Sequence, residues 1–563
     1  MNRKISNSIF QISNSRRYLV FLLTYALVPL CACALLLTGC EQLPGDEKFY
    51  EIKIAPEKLR QVETLELQEA EVEESARPDV NEPPPEELEL TLEQCRALTL
   101  ENNLELKVQL ISPAIAAEQV KQAEAEKFEA VFSSYTNLSK TDRPTPTLLD
   151  IEGSKRDVFS TYFDVAVPLR TGGNVEFNLV DYRTKTDSDY PVFNPLYGSD
   201  FSASISQPLL RNVGKRVNTH FIRIAEYQRQ ITDAQTKLEV IRIIALADKV
   251  YWLLYAARRE LEVRKQQYDL AEALLEQARR FVDAGEKPQV EIIRAEAGVA
   301  QQLEAIIVAE NNLRNREREL KQTLNKTGLE MQTPTVLIPA TEPNPIPYEF
   351  DKEQLVTTAI ENRMEMLVLE LQIAQDISTI DYEHNQSLPL VTLGYDYYIH
   401  GLGASRNDSF DLLFDKRFED HRIGLNLLVP LGNEAAKSRL LQAFYQRRRR
   451  LATHDSRRSV IEIEVLNALD TVEANWQRIL ASRQRSILDG RLFEAEKRQF
   501  ELGLRTSTDV LQAQTTFADA QSSEILALAD YQIALVDMAY ATGTLLGAAK
   551  VQWEPIVPQS NIK

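Results

Sequence analysis

The chain has 563 residues, a net charge of −19, and 44% hydrophobic beside 26% charged residues. That balance excludes wholesale disorder, and the acidic sign argues against nucleic acid as a partner. Four cysteines make no disulfide framework, and His220, His384, His400, His421 and His454 lie scattered without metal-ligand spacing. There is no phosphate loop, nucleophile elbow or paired-cysteine motif, so no catalytic residue, metal or cofactor is expected.

The first long apolar stretch runs from Tyr18 to Thr38, behind a basic region with Arg16 and Arg17. This is the layout of an export signal. It closes on Leu37-Thr38-Gly39-Cys40, which resembles a bacterial lipobox. The resemblance implies a lipoprotein signal peptide over 1–39, cleavage before Cys40 and lipidation of Cys40. Glu41, in place of Asp, favours sorting to the outer membrane. An uncleaved anchor helix is the alternative. Beyond it, no segment reaches the ~18–20 continuous apolar residues of a spanning helix.

Residues 40–90 predict an acidic, proline-containing tether. Between Glu41 and Leu90 there are about 16 acidic and 5 basic residues, with prolines at 83, 84 and 85. Such a segment repels itself and buries little. Cys95, beyond it, is expected to be a small buried residue.

The rest is a duplication. Glu101-Asn102-Asn103-Leu104-Glu105 matches Glu361-Asn362-Arg363-Met364-Glu365. Ile205 and Pro208 match Leu427 and Pro430, and Trp252 matches Trp476. Gly285-Glu-Lys-Pro-Gln-Val-Glu-Ile-Ile-Arg-Ala matches Gly503-Leu-Arg-Thr-Ser-Thr-Asp-Val-Leu-Gln-Ala. The same order of blocks defines repeat 1 over 91–330 and repeat 2 over 351–548. A proline-rich linker, 331–350, separates them, and 549–563 is a C-terminal tail.

Each repeat opens with helical periodicity, as at Leu98, Leu104, Val108, Ile111 and Ile115. The period then drops to two. Phe163, Val165, Val167 and Leu169 alternate with polar or small residues, as do Val175, Phe177 and Leu179, and Phe201, Ala203 and Ile205. In repeat 2, Val391 to Ile399 and Ile423 to Val429 do the same. These are strands with one apolar face. Repeat 1 holds about four such stretches against two in repeat 2, so four to six strands are expected per chain. Pro208 and Pro430 suit the first turn of a following helix.

Those helices are long. Lys215 to Val282 contains neither proline nor glycine. At 1.5 Å per residue that is ~100 Å of helix. Leu528, Tyr531, Leu535, Met538, Thr542 and Leu545 step by threes and fours, the coiled-coil period. Gly285 and Gly503 each end a long helix in a place where left-handed geometry reverses the chain. The product is a pair of helical hairpins with sharp tips.

A few strands with an apolar outer face cannot close within one such chain, and lipid does not satisfy unpaired backbone. Several copies sharing one barrel would close it, with the odd-numbered face toward lipid and Ser202, Ser204, Ser206, Thr392 and Gly394 toward a wet lumen. A soluble antiparallel sheet is the alternative.

The order of these blocks resembles TolC-type outer-membrane efflux proteins over nearly all of 91–548. The resemblance is carried by Leu90-Thr-Leu-Glu-Gln94, by Ser206-Gln-Pro-Leu-Leu-Arg-Asn-Val-Gly214, and above all by the second tip. It implies a mainly α fold with membrane β: tandem helical hairpins, plus strands that complete a trimeric β-barrel and an α-helical tunnel. It implies the outer membrane of a Gram-negative-type bacterium, with the tunnel in the periplasm. It implies a homotrimer meeting outer-membrane lipid, a periplasmic adaptor and an inner-membrane pump, in drug efflux or type I secretion. Acidic rings narrow the family's tunnel near one tip. Asp509 falls on one acidic position, while Gln512 replaces the second, and Arg505 falls on an arginine that helps hold the closed state. Glu291 is a further aperture candidate, and Gly503, Leu504 and Gly285 are expected at the tip that the adaptor contacts. A helix N-cap role also explains Asp509, and a first-turn Glu suits the helix dipole at 291. The competing function is a lipid-anchored periplasmic coiled-coil adaptor or scaffold.

Overall fold

The computed structural model describes residues 87–144 and 153–554. The expected leader, Cys40, most of the acidic tether and the end of the tail lie outside the described residues.

The described chain begins with strand β1 (Glu87–Leu90), followed by α1 (Leu92–Asn102), α2 (Leu104–Gln109) and α3 (Ser112–Phe128). Thr91 and Gln94 form a capping box that starts α1. What the periodicity presents as one opening helix is broken at Asn103, whose side chain accepts from Leu106 N and starts α2. Four strands follow: β2 (Val131–Asp142), β3 (Lys155–Pro168), β4 (Asn174–Thr186) and β5 (Leu196–Pro208). Then come α4 (Lys215–Asn218), the 64-residue α5 (His220–Asp283) and its return helix α6 (Val290–Leu324). The second half adds β6 (Val336–Pro339), α7 (Lys352–Asn362), α8 (Met364–Gln386) and β7 (Leu390–Gly403). It continues with α9 (Arg406–Phe414), β8 (Glu419–Leu428), the 68-residue α10 (Glu434–Glu501), α11 (Ser507–Ala541) and α12 (Leu545–Ala548).

Six strands form one sheet in the order β2-β3-β4-β5-β7-β8, every neighbouring pair antiparallel. From β3 to β8 the register keeps odd residues together, whereas in β2 the even residues join them, Phe132 lying opposite Val165. Val167, Val175, Ile205, Tyr395 and Ile423 make one row across five strands. Asp164, Asn178, Ser202, Tyr398 and Asp420 make a row on the opposite face. Phe163, Phe177, Ile205, Leu393 and Tyr395 of the odd face are exposed apolar side chains. Pro208 ends β5 and Pro430 follows β8, rather than opening the next helices. The turns there use Asn212, Gly214, Gly432 and Asn433 at positive φ.

The helices have no single globular core. Buried clusters are strung along them, because each long helix must be covered along its whole length. Around mid-length, Tyr251, Trp252 and Leu254 of α5 pack with Cys95, Leu320, Leu324 and Ala529. In α10 and α11, Leu469, Val472, Ile479, Tyr531 and Met538 pack together, with Trp476 against them.

The described end of the expected tether and part of the expected linker pair as strands. Residues 87–90 pair in parallel with Val336–Pro339. Leu90 and Leu337 are buried against α5, which is why this end of an acidic segment is structured. Tyr251 ties the pair down: its hydroxyl donates to Leu90 O at 3.0 Å and accepts from Thr341 N at 2.9 Å. Further on, Tyr531 Oη donates to Ile346 O at 2.6 Å.

Arg96 of α1 grips Asp248 of α5 with two bonds of 2.7 Å. The Asp248 side chain is fully buried, and burial pushes its carboxyl above the usual range against the pull of Arg96. Arg96→Met would strand that carboxylate, a loss of about 3–5 kcal/mol. Thermal unfolding followed by helical circular dichroism should drop by several degrees. The double variant Arg96→Met, Asp248→Leu should recover most of it, and unchanged melting of the single variant would contradict this.

Candidate aperture at the hairpin tips

Both tips are made the same way. Gly285 has φ 76° and Gly503 φ 75°. In the first, Gly285 N donates to Val282 O and Glu286 N to Phe281 O, each at 2.9 Å. In the second, Gly503 N donates to Phe500 O at 3.0 Å and Leu504 N to Gln499 O at 2.9 Å. These bonds satisfy the last carbonyls of each long helix. A Cβ at either glycine would meet only open space, so the requirement is conformational and not steric.

The two tips are joined to each other. Phe500 is fully buried, with the Phe281 ring edge-on at 5.8 Å. Leu274, Phe493, Val510 and Ala513 complete this cluster. Lys287 from the first tip sets its ammonium 3.3 Å from the Phe500 ring centroid. It also donates to Phe500 O at 3.4 Å and Arg505 O at 3.3 Å. Desolvation lowers its pKa from the ordinary lysine range, with Glu291 pulling the other way. A partly desolvated cation over an aromatic face is attracted by ~2 kcal/mol.

Glu291 lies between the hairpins. Its carboxylate accepts from Ser507 N at 2.9 Å and Ser507 Oγ at 2.5 Å, and from Arg294 at 2.6 Å. The side chain is 6% exposed. Burial disfavours its charge, but the bonds from Ser507 and the Arg294 guanidinium outweigh that and hold the carboxyl below the usual range. Within one chain, then, Glu291 is turned inward and engaged. It is not a free carboxylate at the tip.

Asp509 is half-buried and closes a capping box with Thr506. It accepts from Thr506 N at 3.0 Å and Thr506 Oγ1 at 2.8 Å. The N-cap of α11 is therefore Thr506, and Asp509 is its third-position partner. Those two bonds, with Arg505 and Arg294 nearby, hold its carboxyl below the usual range. Arg505 turns back along its own hairpin, with Nε 3.0 Å from Gln499 Oε1 and 3.1 Å from Glu496 Oε2. Leu502 and Leu504 are exposed at 74% and 72%, an apolar point at the end of the tip. Gln512 is exposed on the same helix.

The structure thus brings Glu291, Arg505 and Asp509 to one end of the molecule, around Ser507. Sequence reasoning missed Lys287, Arg294, Ser507 and Phe500 as the joint between the tips. Lys287 and Ser507 lay inside the matched tip sequences, but nothing in one hairpin's spacing shows which residues of the other it meets. Among the described residues there is no cluster of three or more His, Cys, Asp or Glu fit to hold a metal, and no helix long and apolar enough to cross a membrane.

The outer membrane efflux protein family profile matches residues 355–544. The chain is 26% identical to outer membrane protein TolC of Vibrio cholerae serotype O1 over 328 residues, covering 57% of this chain and 72% of that one. Its fold matches a membrane protein from Pseudomonas aeruginosa with a TM-score of 0.62 at 17% identity, over 80% of this chain and 90% of that one. It also matches the Campylobacter jejuni CmeC outer membrane channel with a TM-score of 0.60 at 14% identity, over 81% and 86%.

Glu291→Ala removes the acceptor for Ser507 and the counter-ion of Arg294, a loss of about 1–3 kcal/mol. Amides of both tips should exchange with solvent faster, and unchanged exchange would show that Glu291 holds nothing. The pH dependence has a fixed sign. A carboxylate lowered in the folded state stabilises fully above its unfolded pKa of about 4.3, and the effect fades as pH falls through the lower folded value. Wild-type tip protection should be flat from pH 7 to 5 and decline only below that.

Proposed function

We propose that the chain is an outer-membrane efflux protein of the TolC type, and that three copies assemble into one export duct with the six hairpin tips gathered at its periplasmic mouth. One observation carries this. The sheet has an apolar odd face, and its edge strands β2 and β8 have no further partner among the described residues. It stands on the ends of helices 64 and 68 residues long. Such a sheet needs lipid on one side and neighbours at both edges. A periplasmic coiled-coil adaptor, the competing reading, has no use for it.

The duct is passive. Direction and energy come from an inner-membrane pump, reached through a periplasmic adaptor that docks on the tips around Gly503, Leu504 and Gly285. Acylation of Cys40 would tether each chain to the inner leaflet of the outer membrane. Threefold symmetry gathers three Asp509 carboxylates, a weak cation-preferring ring since Gln512 adds no charge. Arg505 braces the tip in its closed form, and Glu291 serves as the clasp between hairpins rather than as a ring member. The cargo class, small molecules or polypeptides, follows from the pump.

Purified protein should run as a heat-resistant trimer in SDS and conduct ions across planar bilayers. A monomeric, non-conducting product would overturn this reading. Asp509→Asn keeps the capping acceptor and removes the charge. It should weaken cation selectivity and relieve block by multivalent cations from the periplasmic side, whereas unchanged single-channel records would remove Asp509 from the aperture. Arg505→Ala should leak, raising the sensitivity of intact cells to vancomycin; normal exclusion would assign the arginine to the tip's shape alone.

A further inference from the structure

We propose that each protomer gives all six strands to the barrel wall, so that the trimer closes as an eighteen-stranded barrel wider than the helical tube beneath it. The proposal rests on the trimeric duct above. It concerns the surplus hairpin of the first half, since two strands from each half, as the second half provides, would close at twelve.

Strand length allows it. The six strands run 12, 14, 13, 13, 14 and 10 residues. A tilted membrane strand needs about 9–11. The faces allow it too. Val167 of β3 and Val175 of β4 share the row of Ile205, Tyr395 and Ile423, and Asp164 and Asn178 share the polar row of Ser202 and Tyr398. A hairpin lying as a flap on the outside of the barrel would have no reason to keep this alternation in phase with the wall.

The turn between β3 and β4 is the strongest observation. It comes down to the same level as the strand ends that meet helices. Arg170 pairs with Glu124 of α3 and lies 5.4 Å from the Phe128 ring centroid, where α3 hands over to β2. Thr171 O accepts from Gly214 N at 2.9 Å, where β5 hands over to α4 and α5. Thr171 Oγ1 lies 2.9 Å from Gln207 Oε1 at the end of β5. Gly172 sits so close to Asn212 O and Asn218 that a Cβ would lie 2.1 Å and 2.5 Å from them. β3 and β4 therefore cross the full height of the sheet, as β5 and β7 do.

Closure follows from parity. Because all five pairings are antiparallel, β2 and β8 run in opposite directions. A neighbour's β2 then meets β8 antiparallel, the arrangement a membrane barrel needs. Barrel diameter grows about linearly with strand number, and 16–18 strands enclose an aqueous channel. At the level of the Arg170 turn, four strand ends among the described residues meet helices: α3 leads into β2, β5 into α4 and α5, α8 into β7, and β8 into α10, while α9 joins β7 to β8 at the opposite end. The wall is thus about half again as wide as a twelve-stranded one, and it tapers onto a helical tube fed by four strands per chain.

The test is a strand count by electron cryomicroscopy of the full trimer in lipid nanodiscs. Eighteen wall strands with β8 hydrogen-bonded to the neighbouring β2 is the expected result. Twelve wall strands in a conducting trimer would overturn the proposal and leave the duct reading standing, whereas a protein that neither trimerises nor conducts would sink both. Cysteine labelling gives an independent readout. Asp164→Cys should react with a membrane-impermeant maleimide in intact outer membranes, and Phe163→Cys only after detergent. Equal labelling of both would place β3 outside the wall.

Discussion

Unpaired backbone has no place in hydrocarbon, and that constraint sets the architecture of this chain. The sheet has two open edges, β2 and β8, and an odd face crowded with Phe, Val, Ile and Tyr. In water, such a sheet would aggregate through both features. In a membrane, one face is solvated by lipid and the edges are met by other copies. The helices then have to continue a tube that no single chain can close. This is why their cores are strung out in separate clusters.

At the far end the demand is the opposite. In the proposed duct, the tips need contacts strong enough to hold and weak enough to yield. The joint between hairpins has that character. It consists of one buried aromatic under an ammonium, and one carboxylate shared between Ser507 and Arg294. None of these is a permanent link. Asp509 is engaged locally, its carboxylate holding the start of α11 in a capping box with Thr506.

The elements most legible in the sequence were those set by local chemistry. Gly285 and Gly503 announced the tips because only a left-handed residue ends a helix and turns it so sharply. The period of two placed the odd residues of β3, β4, β5, β7 and β8 on one face, and the register agrees row by row. What the sequence hid depends on distant partners. Helix α9 lies in a loop, and its Ser405–Asp408 capping box is readable. Its seat is not: a Cβ on Gly401 or Gly403 would lie 2.1 Å from Ser409 O or 2.6 Å from Asp408 Cβ, so those glycines admit the helix. The candidate aperture was half legible. Asp509, Arg505 and Glu291 lie in the matched tips, but the inward turn of Glu291 depends on Ser507, 216 residues away.

The two halves also differ in a way that explains how such a fold can grow. A single added strand would reverse the direction of everything after it and deliver the long helix to the wrong side of the membrane. A hairpin of two preserves direction, and its return turn at Arg170–Gly172 stops at the helix boundary without entering it. The tunnel below therefore keeps the same helices, and the tips keep the same geometry. Growth in the membrane is in this way separated from control at the mouth. The first half can carry surplus strands while Gly285 and Gly503 still match to within one degree of φ.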